Sequence, residues 1–304
     1  MKLGILCPGQ GTQNLTMLEM IKDNAIARDI LLTASDVLKE DLFKLDESKD
    51  IFKNSFAQPY ICAVQIATYH ALKDLIPAAS VFGGYSLGEL SLYGCNGSLS
   101  PEKAIELAKK RAEHMDKANT QISGLLSCQN IIKENVESIC EQTKTFISIV
   151  NVDRHFIIGG ESKNLEKFKT LAEEETGIIK PLKVKLASHT PLLKTASEEF
   201  LETLTQSNFK NPDIPAISSI DTTFVYDKTN AIDTLSKQIS QTIQWESSLE
   251  TMLEYGCTVI LELGPGKALS KMVQKLDDNV IVRSVSDFKS IDGVLKWINK
   301  ITQQ

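Results

Sequence analysis

The sequence predicts an α/β fold: a parallel sheet flanked by helices, with a smaller α/β unit inserted into it. Three observations predict it. Before Gly124, apolar runs of strand length alternate with segments of helical length and composition. One such run, Ala78-Ala79-Ser80-Val81-Phe82, leads into Gly84-Tyr85-Ser86-Leu87-Gly88-Glu89, a glycine-flanked serine turn that opens a helical segment. From about Gly124 the order becomes strand, helix, strand, strand, helix, strand, which is the ferredoxin-like signature. The first two observations describe an α/β hydrolase-like core, expected over residues 1–121 and 188–304. The third describes an inserted ferredoxin-like subdomain, expected over residues 122–187.

Taken in order, Leu3-Gly4-Ile5-Leu6-Cys7 is a short apolar run suited to a buried strand. The loop Pro8-Gly9-Gln10-Gly11-Thr12-Gln13 follows, and its two glycines let backbone approach a ligand closely. Ala25 to Glu40 and Gln58 to Leu75 are helix-like, Ala78 to Phe82 is the strand before the serine turn, and a helix runs on from Ser86. Pro101 to Asn119 has the length and the Ala/Leu/Lys content of a helix. Within the insertion come an apolar strand after Gly124, a helix through Glu134 to Gln142, strands Phe146–Val150 and Phe156–Gly160, a helix to Glu175 and an alternating strand Lys180–Leu186. Ser286 to Gln304 reads as a helix covering the core. Nothing repeats internally and no low-complexity linker divides the chain, whose 304 residues can bury a large core.

The serine turn carries the chemistry. In a G-x-S-x-G arrangement the glycines remove the Cβ clashes that would forbid a tight strand-to-helix turn, and the hydroxyl points outward at a helix N-terminus. There the Leu87 N–H can donate to an oxyanion, and the local dipole favours developing negative charge. A serine that merely caps a helix after a glycine turn fits the same residues. A nucleophile needs a base, and the chain has four histidines. His70 falls in a helical stretch, His114 on a polar segment after Arg111, and His155 beside Arg154 in a turn. His189, in Leu186-Ala187-Ser188-His189-Thr190-Pro191, stands instead at an element boundary, where a side chain projects into a cleft.

Gly9-Gln10-Gly11-Thr12-Gln13, Gln58-Pro59, Gly84 to Glu89, Arg111, Ser188-His189, Gln244-Trp245 and Glu262-Leu263-Gly264-Pro265-Gly266 together resemble, in order, the motifs of the malonyl-CoA:acyl-carrier-protein transacylase family of fatty-acid and polyketide synthesis. The resemblance implies a Ser86–His189 dyad with ping-pong chemistry through an acyl-serine ester. It implies an oxyanion hole made by the backbone N–H groups of Gln10 and Leu87. It further implies that a backbone carbonyl, here matched to Gln244, orients the histidine in place of a catalytic carboxylate. Gln58 and Asn151 match supporting positions near the substrate. Arg111 resembles the arginine that pairs with the free carboxylate of a malonyl group, a planar guanidinium meeting a planar carboxylate through two hydrogen bonds; without the resemblance, Lys109-Lys110-Arg111 reads as solvated helix charge. Malonyl or another dicarboxylic acyl group is therefore expected, with malonyl-CoA as donor, no bound cofactor, and an acyl carrier protein as acceptor.

The family's usual histidine before the nucleophile is Tyr85 here. Together with Leu90 and Tyr93-Gly94-Cys95, this string resembles the transacylase subunit of malonate decarboxylase. The rival classes are a serine hydrolase or thioesterase, which would place a catalytic Asp or Glu between Ser86 and His189, and a non-catalytic scaffold subunit of a synthase or decarboxylase complex. The net charge of −6 and the lack of a basic stretch argue against a nucleic-acid partner. Lys109, Lys110 and Arg111, with Lys180, Lys183, Lys185 and Lys194, are candidates for docking an acidic carrier. No long apolar run and no signal-peptide pattern is present, so a cytoplasmic protein away from membranes is expected, as a monomer or a subunit of a larger complex. The six scattered cysteines, with no C-x-x-C pair, predict neither a metal site nor a disulfide framework.

Overall fold

Residues 1–302 are described by a computed structural model, and its elements run β1 (Lys2–Cys7), α1 (Ala25–Leu38), α2 (Asn54–Leu72), β2 (Ala79–Gly84), α3 (Leu87–Cys95), α4 (Pro101–Ala118), β3 (Ser123–Gln129), α5 (Lys133–Thr143), β4 (Phe146–Asn151), β5 (His155–Glu161), α6 (Ser162–Glu174) and β6 (Ile178–Pro181). They continue as α7 (Lys194–Thr205), β7 (Ala216–Ile217), β8 (Phe224–Val225), α8 (Lys228–Lys237), β9 (Ile243–Gln244), α9 (Trp245–Glu254), β10 (Cys257–Glu262), α10 (Ala268–Leu276), β11 (Ile281–Ser284) and α11 (Ile291–Thr302).

β1 is buried without interruption from Leu3 to Cys7, which places it inside a sheet covered on both faces. It lies near the middle of a six-stranded sheet, order β11-β10-β1-β2-β7-β8, in which only the β7–β8 pair is antiparallel. Alternation along the strands sorts residues between the faces: Leu3, Ile5, Val259 and Leu261 join the cluster with α1, α2 and α4, whereas Leu6 and Ile260 join Leu249, Met252, Leu269 and Val273 of α9 and α10. The second sheet, order β6-β3-β5-β4-β9, is antiparallel among its first four strands. Leu126, Cys128, Phe156 and Ile158 pack under α5 and α6, while Leu125, Ile149 and Ile157 face the core's Ile217, Ile243 and Trp245. The fold is thus an α/β hydrolase-like core with a ferredoxin-like subdomain seated on it. The fifth strand of that second sheet, β9, comes from beyond residues 122–187 and pairs parallel with β4, Ile149 opposite Ile243.

Three local expectations change. The strand expected over Lys180–Leu186 is β6 and ends at Pro181, because the chain then leaves the sheet edge and crosses back toward the core. His155 is the first residue of β5, not part of a turn, and its Nε2 lies 2.9 Å from Ser127 Oγ on the neighbouring strand. The final helix begins at Ile291, since Val285–Asp287 forms a separate single turn capped by Ser284; Gln303 and Gln304, included in the expected helix, lie outside the described residues.

Candidate active site

Ser86 sits between β2 and α3 with φ 55° and ψ −114°, a backbone conformation that costs free energy for a residue bearing a Cβ. The flanking glycines make it possible. A Cβ on Gly84 would fall 2.2 Å from Glu89 N, and one on Gly88 would fall 1.8 Å from the carbonyl oxygen of Cys7, so no other residue fits at either place. The loop after β1 packs directly on this turn: Tyr85 N donates to Cys7 O at 2.9 Å, and a Cβ on Gly9 would meet Tyr85 O at 2.9 Å and Ser86 Cβ at 3.5 Å. Gly9, the residue before Gln10, is therefore packed against the serine turn. Leu87 opens α3, where an N–H has no partner within its own helix. The Gln65 amide steadies the loop from α2, donating to Pro8 O at 2.7 Å and to Gly264 O at 3.0 Å.

His189 arrives from the other side of the cleft, on a buried turn at φ 59°, and its Nε2 lies 2.8 Å from Ser86 Oγ. Its Nδ1 is 2.6 Å from a backbone carbonyl, which can only accept, so Nδ1 carries the proton and Nε2 is free to take the one on Ser86. That carbonyl belongs to Gln238, not to Gln244. Gln238 caps the end of α8, where the last carbonyls have no following N–H, and His189 takes two of them, its own N–H donating to Ile239 O at 2.8 Å. Gln244 is committed elsewhere: its N–H donates to Ser219 O, its carbonyl accepts from Ser248 Oγ at 2.8 Å, and its backbone belongs to β9. No carboxylate occupies the third place of a triad.

Burial, and then the positive charge of Arg111, push His189 down to about 3, with the Gln238 carbonyl pulling the other way. The imidazole is therefore neutral, and able to act as a base, across the range in which an ordinary histidine becomes protonated. We expect the rate at which a fluorophosphonate labels Ser86 to change less than about twofold between pH 6 and pH 5, below the range in which Glu89 takes up its proton; with an unperturbed histidine it would fall roughly eightfold over that interval. A stopped-time labelling series against pH checks this.

Arg111, on α4, is completely buried. Its Nη1 donates to Gln58 Oε1 at 2.8 Å and its Nη2 to Gln238 Oε1 at 3.0 Å, while Nε has no partner. Burial lowers it to about 10, which leaves the guanidinium charged. A buried cation held by two neutral amides and one unused donor is an incomplete arrangement, and a planar carboxylate would complete it. Gln58 in turn donates to Asn54 Oδ1 at 2.8 Å, the atom that also accepts from Gln10 Nε2 at 3.3 Å. Gln58, Arg111, Gln238, His189 and Ser86 thus form one connected set. Asn151, at the end of β4, is 1% exposed with both amide atoms unpartnered, next to Tyr85, whose ring packs edge-on against Trp245 at 5.2 Å.

Gln238 escapes a reading of the sequence because its contribution is a backbone carbonyl at a helix end together with an amide reaching across the cleft; no spacing announces either. Glu89 left a signal, an acid inside the otherwise apolar Leu87-Gly88-Glu89-Leu90, and it proves fully buried, its Oε2 accepting from Ser219 Oγ and from Gln238 Nε2 at 2.7 Å. Of the basic residues singled out earlier, Lys183 and Lys185 line a cleft of about 500 Å³ that includes Gln10, Phe52, Lys53 and Asn54. Lys109 and Lys110 lie away from it, one bonded to Val37 O and the other to Glu113. Among the described residues no group of three or more His, Cys, Asp or Glu is placed to hold a metal ion, and no helix is long and apolar enough to cross a membrane.

Comparison with known proteins agrees with this geometry. The chain is 28% identical to the malonyl CoA-acyl carrier protein transacylase of Haemophilus influenzae, over 98% of this chain and 99% of that protein. Its structure is similar to the malonyl CoA-acyl carrier protein transacylase of Clostridium perfringens, with a TM-score of 0.92 at 28% identity, covering 99% of this chain and 98% of the other. At 23% identity, and so for the fold alone, it also matches a malonyl-transacylase solved in complex with its type II PKS acyl-carrier protein, TM-score 0.92, covering 97% of this chain and 99% of that one. The acyl transferase domain matches residues 5–301, and with the glycine-flanked Ser86 and His189 in contact inside that span, this chain belongs to the acyl transferase domain family.

Proposed function

We propose that the protein transfers a malonyl group from malonyl-CoA to the prosthetic thiol of an acyl carrier protein through an ester on Ser86. The observation that carries this reading is Arg111: a buried guanidinium with an unused donor, linked through one glutamine to the catalytic pair. A simple acyl chain would leave that cation unsatisfied, whereas the free carboxylate of malonate would pair with it. As Ser86 Oγ attacks the thioester carbonyl, His189 Nε2 takes its proton. The tetrahedral oxyanion is assigned to the N–H groups of Leu87 and Gln10, each such donor contributing about 3 kcal/mol to transition-state stability. Collapse expels CoA as its thiolate, which takes the proton from His189 to leave as the thiol, and the carrier thiol then reverses the sequence, first giving its proton to His189.

Nucleophile, base and oxyanion donors all belong to the chain, so the reaction calls on no cofactor. Asn151 is assigned to the acyl-thioester pocket, a place supported by its buried and unpartnered amide. The cleft lined by Lys53, Lys183 and Lys185 beside Gln10 suits the approach of an acidic carrier. A cytoplasmic setting is consistent with six cysteines that are all free thiols. The test is intact-protein mass after brief mixing with malonyl-CoA, then with a carrier protein bearing its prosthetic thiol. We expect a malonyl adduct that the carrier removes and gains. Adduct loss to water at the same rate with or without carrier would make the protein a hydrolase instead.

A further inference from the structure

Glu89 is the buried ionisable group in this site that the mechanism leaves without a task. It is completely buried in the first turn of α3, and its Oε2 accepts from Ser219 N at 3.3 Å, from Ser219 Oγ, and from Gln238 Nε2 at 2.7 Å. Gln238 Nε2 also donates to the carbonyl of Ser86 at 3.0 Å. With two acceptors on one side of its amide, Gln238 must turn its Oε1 the other way, toward Arg111 Nη2. One amide thus stands between a buried anion and a buried cation that do not touch.

Resting on the transacylase reading, we propose that Glu89 is a positioning residue and the resident counter-charge of Arg111, acting through the Gln238 amide, and that an incoming dicarboxylic acyl group competes with it for the arginine. The empty site holds one guanidinium facing Glu89 at second hand; the substrate carboxylate makes the direct contact. Two anions then share one cation in a site of low dielectric, where like charges repel appreciably. Burial raises Glu89 to about 7, consistent with a carboxylate that is incompletely compensated, while its hydrogen bonds from Ser219 and Gln238, and after them the charge of Arg111, draw it down. The arrangement holds Arg111 in place without a tight ion pair that substrate would have to break. Its consequence is a moderated grip on malonyl: an enzyme that must release its acyl group to a second thiol gains nothing from binding the carboxylate irreversibly.

The test is the single-turnover rate constant for acylation by malonyl-CoA and by acetyl-CoA, at pH 8 where Glu89 is ionised, for the wild type, Glu89→Gln and Ser219→Ala. Glu89→Gln keeps the shape and removes the charge. We expect the malonyl-to-acetyl ratio of kcat/KM to rise about tenfold, with the malonyl KM falling and the acetyl KM unchanged, while kcat falls for both donors because the imidazolium formed during attack loses a nearby anion. Ser219→Ala removes one hydroxyl donor while keeping the backbone bonds of Ser219, and is expected to move the ratio the same way by about twofold. Equal slowing with both donors, or a falling ratio, would overturn the proposal and leave Glu89 a structural residue. A wild type that takes acetyl but not malonyl would instead overturn the transacylase reading itself, and this inference with it.

Discussion

Replacing Ser86 with alanine is expected to abolish the malonyl adduct and to lower transfer to carrier protein by roughly 10⁶-fold, the scale seen when a serine nucleophile is removed from an activated site. The expectation rests on geometry. Ser86 Oγ is 2.8 Å from His189 Nε2, the histidine tautomer is dictated by the Gln238 carbonyl, and the strained turn holds the hydroxyl out at the start of α3. His189→Ala should cost nearly as much, because the two side chains act as one unit and the effects of losing either overlap. Intact mass of each variant after mixing with malonyl-CoA measures the first, and carrier acylation over hours measures the residual rate. An adduct persisting in Ser86→Ala would place the acyl group on another residue and end the assignment. Stability should hardly change in Ser86→Ala, since only one hydroxyl is lost; a melt within about 1 kcal/mol of the wild type would show that the lost activity is chemical.

Arg111→Ala is expected to lower kcat/KM for malonyl-CoA by about 3 kcal/mol, roughly 150-fold, and to leave acetyl-CoA little changed. The malonyl carboxylate would enter a buried pocket from which its cation has gone, whereas the acetyl group never used that cation. Two further effects bear on the reading. Alanine leaves Gln58 Oε1 and Gln238 Oε1 without their donor and Glu89 without its counter-charge, which costs stability, but it also removes a desolvated cation whose direct contacts are neutral amides, which returns some. Arg111→Met, which refills most of the volume with apolar atoms, separates the cavity from the charge: both variants should lose malonyl preference and the donors to the two glutamines, and alanine should melt earlier than methionine by the cost of its cavity. Competition between malonyl-CoA and acetyl-CoA, read as the ratio of adduct masses, measures the preference directly. If the ratio were unaltered, the carboxylate would be recognised elsewhere, and the unpartnered amide of Asn151 would be the next residue to change.

Ser86 and His189 were legible in the chain because each has a local signature, glycines that only a tight turn demands and a histidine at an element boundary, whereas Arg111 stood out only through the ordered set of motifs that resembles one family. The alternation of strands and helices, and the βαββαβ order of the insertion, are likewise local patterns, since the period of apolar residues is set by backbone geometry alone. Tertiary structure decided the rest. Gln238, rather than Gln244, orients the histidine because α8 happens to end facing the cleft, and a free carbonyl at a helix end has no side-chain signature. The buried Arg111 differs from its solvated neighbours Lys109 and Lys110 only in which side of α4 faces inward, so charge alone cannot tell them apart. Two-residue strands such as β9, which ties the core to the second sheet, are too short to show a period. What the sequence by itself determined was the set of reactive groups and the elements that carry them. What packing decided was their electrostatic relation: how far burial pushes His189 down, and which amide stands between Glu89 and Arg111. Those depend on distance and desolvation between residues far apart in the chain, and such quantities exist only once the two halves of the site have come together.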